Sequence, residues 1–185
     1  MRRISSLVVL SMLALSASAT AQRSRGASMA NPSPEIGIDA GVTFGLGSPS
    51  LTVLSIPAQQ IRLGFFVSPA LSIEPTFGLQ SVSGGGVSFT AYNVGAGLLY
   101  HFAPSRAASQ FYVRPFVNVV GFSGDGPSSN SAVFGVGGGL KVPLRDRIAS
   151  RFEANVQSVE RDAAIGAGGR DTAIGLLAGL SFYTR

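Results

Sequence analysis

The 185-residue chain has no cysteine and no tryptophan, and only 12% of its residues are charged. The absence of cysteine excludes disulfide bonds, thiol nucleophiles and cysteine-based zinc sites. The charged fraction is about half of the ~25% that is usual for soluble domains. Its basic residues do not form a cluster in the sequence, so nothing in the sequence indicates a nucleic-acid-binding surface. These absences disfavour a soluble domain and exclude thiol chemistry.

Long apolar runs are also scarce, and the longest lies near the amino terminus. Arg2 and Arg3 precede an apolar core over residues 7–15, and a small-x-small triplet follows at Ala19–Ala21. This order is typical of a secretory signal peptide, which predicts residues 1–21 as the cleaved segment. The nine-residue core is too short to be a membrane-spanning helix.

The rest of the chain divides into two parts. Residues 22–34 are polar and end in proline, so we predict a flexible periplasmic leader. Residues 35–185 contain most of the 24 glycines, and no segment approaches the ~18 consecutive apolar residues of a membrane helix. An exported chain that combines little charge with a mean hydropathy of +0.35 suits an outer-membrane β-barrel better than a soluble domain.

Alternation between large apolar and small or polar residues is the main structural signal. In the last segment, Ile174, Leu176 and Leu180 share one face, whereas Gly175 and Gly179 lie on the other. A period of two predicts a β-strand with two unlike faces. In a transmembrane barrel the apolar face contacts lipid and the small or polar face lines the lumen.

The same pattern predicts eight strands joined by alternating short and long connections. They are the segments 35–46, 59–67, 70–80, 87–102, 110–122, 132–142, 147–158 and 171–184. The predicted fold is all-β, an eight-stranded antiparallel up-and-down transmembrane β-barrel. The longer connections, predicted as outer loops, are 47–58, 81–86, 123–131 and 159–170. A change of parity predicts a bulge near Tyr92, and Pro75 and Pro115 predict local bulges because proline cannot donate to the ladder.

Beyond the first residue of each predicted strand, seven charged residues fall inside the strands, and all take the face opposite to the large apolar residues. They are Asp39, Arg62, Glu74, Arg114, Lys141, Arg151 and Glu153. Charges in a dry lumen need partners, so we expect an ionic network across the barrel. An eight-stranded lumen is filled by side chains, which favours a structural plug over a gate or a proton path.

Five aromatic residues lie beside the predicted short turns or the carboxyl terminus. They are Phe65, Tyr100, Phe102, Phe111 and Phe182. Aromatic residues collect at membrane interfaces, so we predict a girdle at the inner boundary. Ordinary core aromatics are the alternative interpretation.

Other functions remain open from the residues alone. A soluble periplasmic barrel of the lipocalin type would line an apolar ligand cavity with Ile61, Leu63, Phe152 and Leu180. A lipid-modifying enzyme would use His101, the one histidine, with a nucleophile such as Ser105. A small pore is a further variant. No motif for a cofactor or a metal is present, so we expect neither.

The chain resembles the OmpA/OmpX-type family of small outer-membrane β-barrels. The resemblance is carried by the signal peptide, eight alternating strands and the terminal sequence LLAGLSFYTR, which ends two residues after the aromatic pair Phe182–Tyr183. It implies a non-enzymatic structural or surface-contact role, periplasmic termini and insertion by the barrel assembly machinery. Outer-membrane lipid and lipopolysaccharide are the expected surroundings, nucleic acid is not an expected partner, and a monomer is expected.

Overall fold

The computed structural model describes residues 34–46, 52–55, 60–84, 87–102, 109–124, 128–161 and 169–184. The predicted signal peptide and all of the predicted leader except Pro34 lie outside these ranges. Within them, no helix has the length and apolar character needed to cross a membrane.

The described residues form nine antiparallel β-strands, eight of which make the wall of a closed barrel. The strands are β1 (Glu35–Gly45), β2 (Thr52–Ser55), β3 (Ile61–Ser68), β4 (Leu71–Gly84), β5 (Val87–His101), β6 (Gln110–Gly124), β7 (Ser129–Arg145), β8 (Ile148–Arg161) and β9 (Gly169–Tyr183). From β3 to β9 each strand pairs with the next, and β1 pairs with both β3 and β9. The predicted fold class is confirmed.

The barrel closes along a long ladder between its first and last strands. The register runs without a break from Glu35 opposite Tyr183 to Gly45 opposite Ala173. Because the number of wall strands is even, Pro34 and Thr184, which flank the first and last strands, lie at one end of the barrel, where the Thr184 amide donates to the Pro34 carbonyl oxygen at 3.0 Å. We call this the inner end and the opposite one the outer end.

The second wall strand is split, which the sequence analysis did not predict. β3 pairs with only the inner part of β1, and β2 takes over beside the outer part, with Gly41 opposite Ser55 and Phe44 opposite Thr52. The interpretation of residues 47–58 as a loop is therefore wrong over Thr52–Ser55. The β-branched residues of this short segment suit a strand, but its Gly, Ser and Pro surroundings concealed it.

The predicted bulges at Tyr92 and at the two prolines do not occur. Tyr92 sits in continuous ladders on both sides. Pro75 and Pro115 keep regular register with Ala96 and Val136, respectively. On its other side, each proline leaves a two-residue gap in the ladder without a shift of register, since the missing N–H removes a bond and not a residue.

The register shifts instead lie beside two inner turns, between Phe66 and Ser68 and between Pro143 and Arg145. At the outer end the strands extend into the predicted loops. β4 reaches Gly84, β7 begins at Ser129 and β8 reaches Arg161. The outer connections are therefore shorter than the sequence analysis assigned.

The barrel is apolar outside and polar inside. Its largest fully buried side chains include Arg62, Arg151 and Lys141, whereas Leu79 is 74% exposed and Phe102 is 64% exposed. Apolar residues are exposed on all eight wall strands. A soluble protein buries such residues and keeps charge at its surface. The surface of this barrel therefore suits a hydrocarbon environment.

We predict that Leu176→Arg blocks assembly in lipid. Leu176 is outward-facing and lies at the middle of β9. An arginine at the bilayer midplane costs about 2–4 kcal/mol on the lipid face of such a barrel. The folded fraction recovered after refolding into phospholipid vesicles should fall sharply, whereas Leu176→Met should refold like the native chain. Equal refolding of the two variants would contradict the lipid-facing assignment.

Candidate functional site: the charged lumen

The lumen holds a cluster of buried charges, which we call the lumen network. It contains all seven charged residues selected from the sequence and also Glu35, and each is at most 4% exposed. Its members are Glu35, Asp39, Arg62, Glu74, Arg114, Lys141, Arg151 and Glu153. Glu35 has the same parity as Asp39, which was the available signal, but its place at the first residue of a strand kept it out of the selection.

The network is balanced in formal charge, with four cations and four carboxylates. It lies towards the inner end, since Glu74 and Arg151 are each the fourth residue of a strand that begins at an inner turn. Burial of an unpaired charge is costly, so this balance is what allows eight ionised groups to share a narrow interior.

Arg62 joins three strands through its guanidinium group. Its Nε and Nη2 atoms donate to the two oxygens of Asp39 at 2.5 and 3.0 Å. Its Nη1 atom donates to Glu35 Oε1 at 3.1 Å and to Glu74 Oε2 at 2.9 Å. A planar fork that binds one carboxylate at two points holds a fixed geometry. Arg62 therefore links β1, β3 and β4.

A second group forms around Glu153. Arg114 binds both of its oxygens, with Nη2 at 2.5 Å from Oε1 and Nε at 3.0 Å from Oε2. Arg151 donates to Glu153 Oε2 and to Glu74 Oε2, at 2.6 Å in each case. Because Glu74 also binds Arg62, the two groups form one continuous network.

Lys141 and Tyr112 also belong to the network and lie on its side towards the inner end. Lys141 Nζ donates to Glu35 Oε2 at 2.5 Å. The Tyr112 hydroxyl donates to Glu153 at 2.9 Å and accepts from Arg151 Nε at 2.6 Å. The Arg151 guanidinium also lies 4.8 Å from the centroid of the Tyr112 ring, within cation–π range. Tyr112 was not selected from the sequence as part of the network.

The inward-facing glycines make room for these side chains. A Cβ atom at Gly37 would overlap the Arg62 guanidinium, and one at Gly137 would lie 2.6 Å from Glu153 Oε1. In contrast, outward-facing Gly138 has open space where its Cβ would be. The alternation of glycine with large apolar residues thus follows from a lumen filled by long charged side chains.

Above the network, the described residues of the lumen include polar side chains that form hydrogen bonds and no salt bridges. Thr76 Oγ1 donates to Asn118 Oδ1 at 3.2 Å, and Asn93 Nδ2 donates to Gln60 Oε1 at 3.0 Å. Within the described part of the chain, the Oδ1 atoms of Asn93 and Asn155 are buried without a hydrogen-bond partner. These amides were not selected from the sequence, because a lone Asn or Gln on a strand carries no distinctive spacing.

His101 faces the lumen and not the lipid. Its Nε2 atom lies 3.3 Å from Ser72 Oγ, and it is 1% exposed. In a catalytic triad the other ring nitrogen is held by a carboxylate, but Nδ1 of His101 has no partner among the described residues. Ser105, the nucleophile considered from the sequence, lies outside those residues. The described residues also contain no group of His, Cys, Asp or Glu that could hold a metal ion.

We predict that Arg62→Met destabilises the folded barrel by about 3–5 kcal/mol, because three carboxylates lose a shared partner in the lumen. The measurement is equilibrium unfolding by urea in lipid vesicles, followed by circular dichroism. The matched control is Arg170→Met. Arg170 is exposed and contacts Ser158 and the Phe134 ring, so little change is expected. Similar stabilities of the two variants would show that the network contributes no stability.

No protein-family model matches the chain, and no curated protein matches it in sequence. In three dimensions it is similar to Neisserial surface protein A, with a TM-score of 0.62 and 16% identity over 82% of this chain and 97% of that one. It is also similar to the N-terminal β-barrel domain of Pseudomonas aeruginosa OprF, with a TM-score of 0.47 and 16% identity over 80% and 97% of the two chains. The outer membrane enzyme PagL gives a TM-score of 0.47 and 16% identity over 79% and 99%. The chain has the fold of small eight-stranded outer-membrane β-barrels.

Proposed function

We propose that the chain is an integral, non-enzymatic protein of a Gram-negative outer membrane, with a role in envelope integrity or surface contact. The proposal rests on a burial pattern opposite to that of a soluble protein: charged residues are buried in the lumen, and apolar residues are exposed on every wall strand. A closed barrel leaves no unpaired wall strand in the hydrocarbon, which makes it one of the two folds that can span a bilayer. Neisserial surface protein A, by its name a surface protein, has the same fold.

The lumen network supports a structural plug. Its side chains bridge β1, β3, β4, β6, β7 and β8 across the interior. A lumen crossed by paired side chains from six strands stabilises the wall and is filled in the way expected of an eight-stranded barrel, unlike the aqueous channel of larger barrels. This favours a plugged barrel over a small pore.

The asymmetry of the two ends supports periplasmic termini. The inner end carries tight turns at Pro69–Ala70 and at Asp146–Arg147. Exposed aromatic side chains gather near it, among them Phe111 and the edge-to-face pair Tyr100 and Phe102, whose ring centroids are 5.3 Å apart. Short turns are typical of the periplasmic end of such barrels, and an aromatic girdle is typical of a membrane interface.

The two other functions considered from the sequence fit the geometry less well. A lipocalin-like protein needs apolar residues around an internal cavity, yet Ile61 is 52% exposed and Leu180 is 36% exposed on the outside. A lipid-modifying enzyme needs its catalytic group at the lipid face, yet His101 is buried in the lumen. The proposed partners are outer-membrane lipid and lipopolysaccharide around a monomer, with the barrel assembly machinery during insertion.

Because the chain has no native cysteine, single introduced thiols report the orientation directly. Ser128→Cys places a thiol at the outer end, and Asp146→Cys places one in an exposed inner turn. A maleimide attached to a large polyethylene glycol chain does not cross an intact outer membrane. We expect it to label the Ser128→Cys variant on intact cells and both variants after lysis.

Labelling of Asp146→Cys on intact cells, with Ser128→Cys protected, would reverse the proposed orientation. Recovery of both variants in the soluble fraction would reject the membrane location. Labelling of both only after lysis, with the protein in the membrane fraction, would reject surface exposure of the outer end.

A further inference from the structure

His101 is the one histidine of the chain and is buried beside the lumen network. Its ring stacks on Phe66 at a centroid distance of 5.5 Å and lies 6.1 Å from the Tyr112 ring. Lys141 Nζ lies 5.9 and 5.8 Å from the same two rings. The Lys141 ammonium group and the His101 ring therefore share one aromatic enclosure near the inner end.

The polar atoms around the ring suit its neutral form. The Ser72 hydroxyl satisfies Nε2, whereas Nδ1 has no partner within the described part of the chain. A charged imidazole would have two N–H donors and would leave one of them unpaired in the interior. Protonation would also place a positive charge close to Lys141.

The charged groups that interact electrostatically with His101 come from four strands. Glu35 lies on β1, Glu74 on β4, Lys141 on β7 and Arg151 on β8. Both carboxylates already bind cations, Glu35 with Lys141 and Arg62, and Glu74 with Arg62 and Arg151. Tyr112 is likewise bonded to its neighbours on β8. A fifth cation would therefore break the balance of four cations and four carboxylates.

We propose that His101 is an acid-sensitive latch: the folded lumen holds its ring neutral, so acid, which protonates the same ring in the unfolded chain, lowers the stability of the barrel. The inference concerns the folded chain itself and does not depend on the proposed role in the envelope. The structural plug explains how the lumen network stabilises the barrel, and the latch adds that this stability falls in acid.

The direction in which pH changes the stability of the barrel follows from proton linkage. In an unfolded chain a histidine takes up its proton near pH 6.5. In the barrel Glu35 and Glu74 are already paired with cations, and Nδ1 has no acceptor among the described residues, so the folded state takes up that proton less readily. When the unfolded state binds more protons, stability falls as the pH decreases. The expected loss begins near pH 6.5 and amounts to as much as about tenfold in the unfolding equilibrium constant per pH unit.

The test compares the native barrel with His101→Gln in lipid vesicles between pH 7.5 and pH 5. Glutamine keeps a polar group for Ser72 but gains no charge in acid, while the carboxylates of the network are the same in both proteins. Urea unfolding at each pH should show a loss of stability below pH 6.5 in the native chain that is absent or much smaller in the variant. Parallel losses in the two proteins would overturn the proposal.

A second measurement does not need the variant to fold. With one histidine in the chain, the imidazole signals of isotope-labelled native protein belong to His101 without further assignment. The proposal expects these signals to remain those of a neutral ring at pH 6 in the folded barrel. A ring that becomes protonated near pH 6.5 while the barrel keeps its stability would overturn it.

Discussion

The fold depends on the neutralisation of four buried cations by four carboxylates inside one closed sheet. Charges in a dry interior are tolerated only when they are paired, and here Glu74 is shared by Arg62 and Arg151, so the pairs form one network. The network ties together strands that are not neighbours in the wall. Lys141 on β7, for example, binds Glu35 on β1. Much of the barrel's internal order therefore comes from electrostatics and not from an apolar core.

The polar interior determines what the outside has to be. A narrow lumen that is filled by arginine, lysine and glutamate holds only a few large apolar residues, such as Leu99 and Phe116, so alternation along each strand sends most of them outwards. In water, exposed residues such as Leu79 and Phe102 would promote aggregation, because exposed apolar patches associate with one another. In lipid the same residues are solvated, and the closed ladder satisfies the backbone of the wall. The polar lumen face and the apolar lipid face thus both follow from the two-residue alternation along each strand.

The part of this structure that depends on period and parity could be predicted from the sequence. The two-residue period places a charge such as Asp39 inside and Leu176 outside without knowledge of any neighbour. The choice of partners could not be predicted in this way, because the contact of Arg62 with Glu74 depends on register and on the stagger of strands around the barrel. The gaps beside Pro75 and Pro115 were misjudged for a similar reason, since a ladder can lose bonds without a shift of register.

The most direct test of a closed, charge-filled barrel in lipid is its electrophoretic mobility in SDS, with and without boiling, in the outer-membrane fraction. A closed barrel resists SDS, so the unboiled protein should migrate differently from the boiled protein. We expect that shift, and we expect it in the outer-membrane fraction. A single band with the same mobility in both samples, recovered from the soluble fraction, would contradict it.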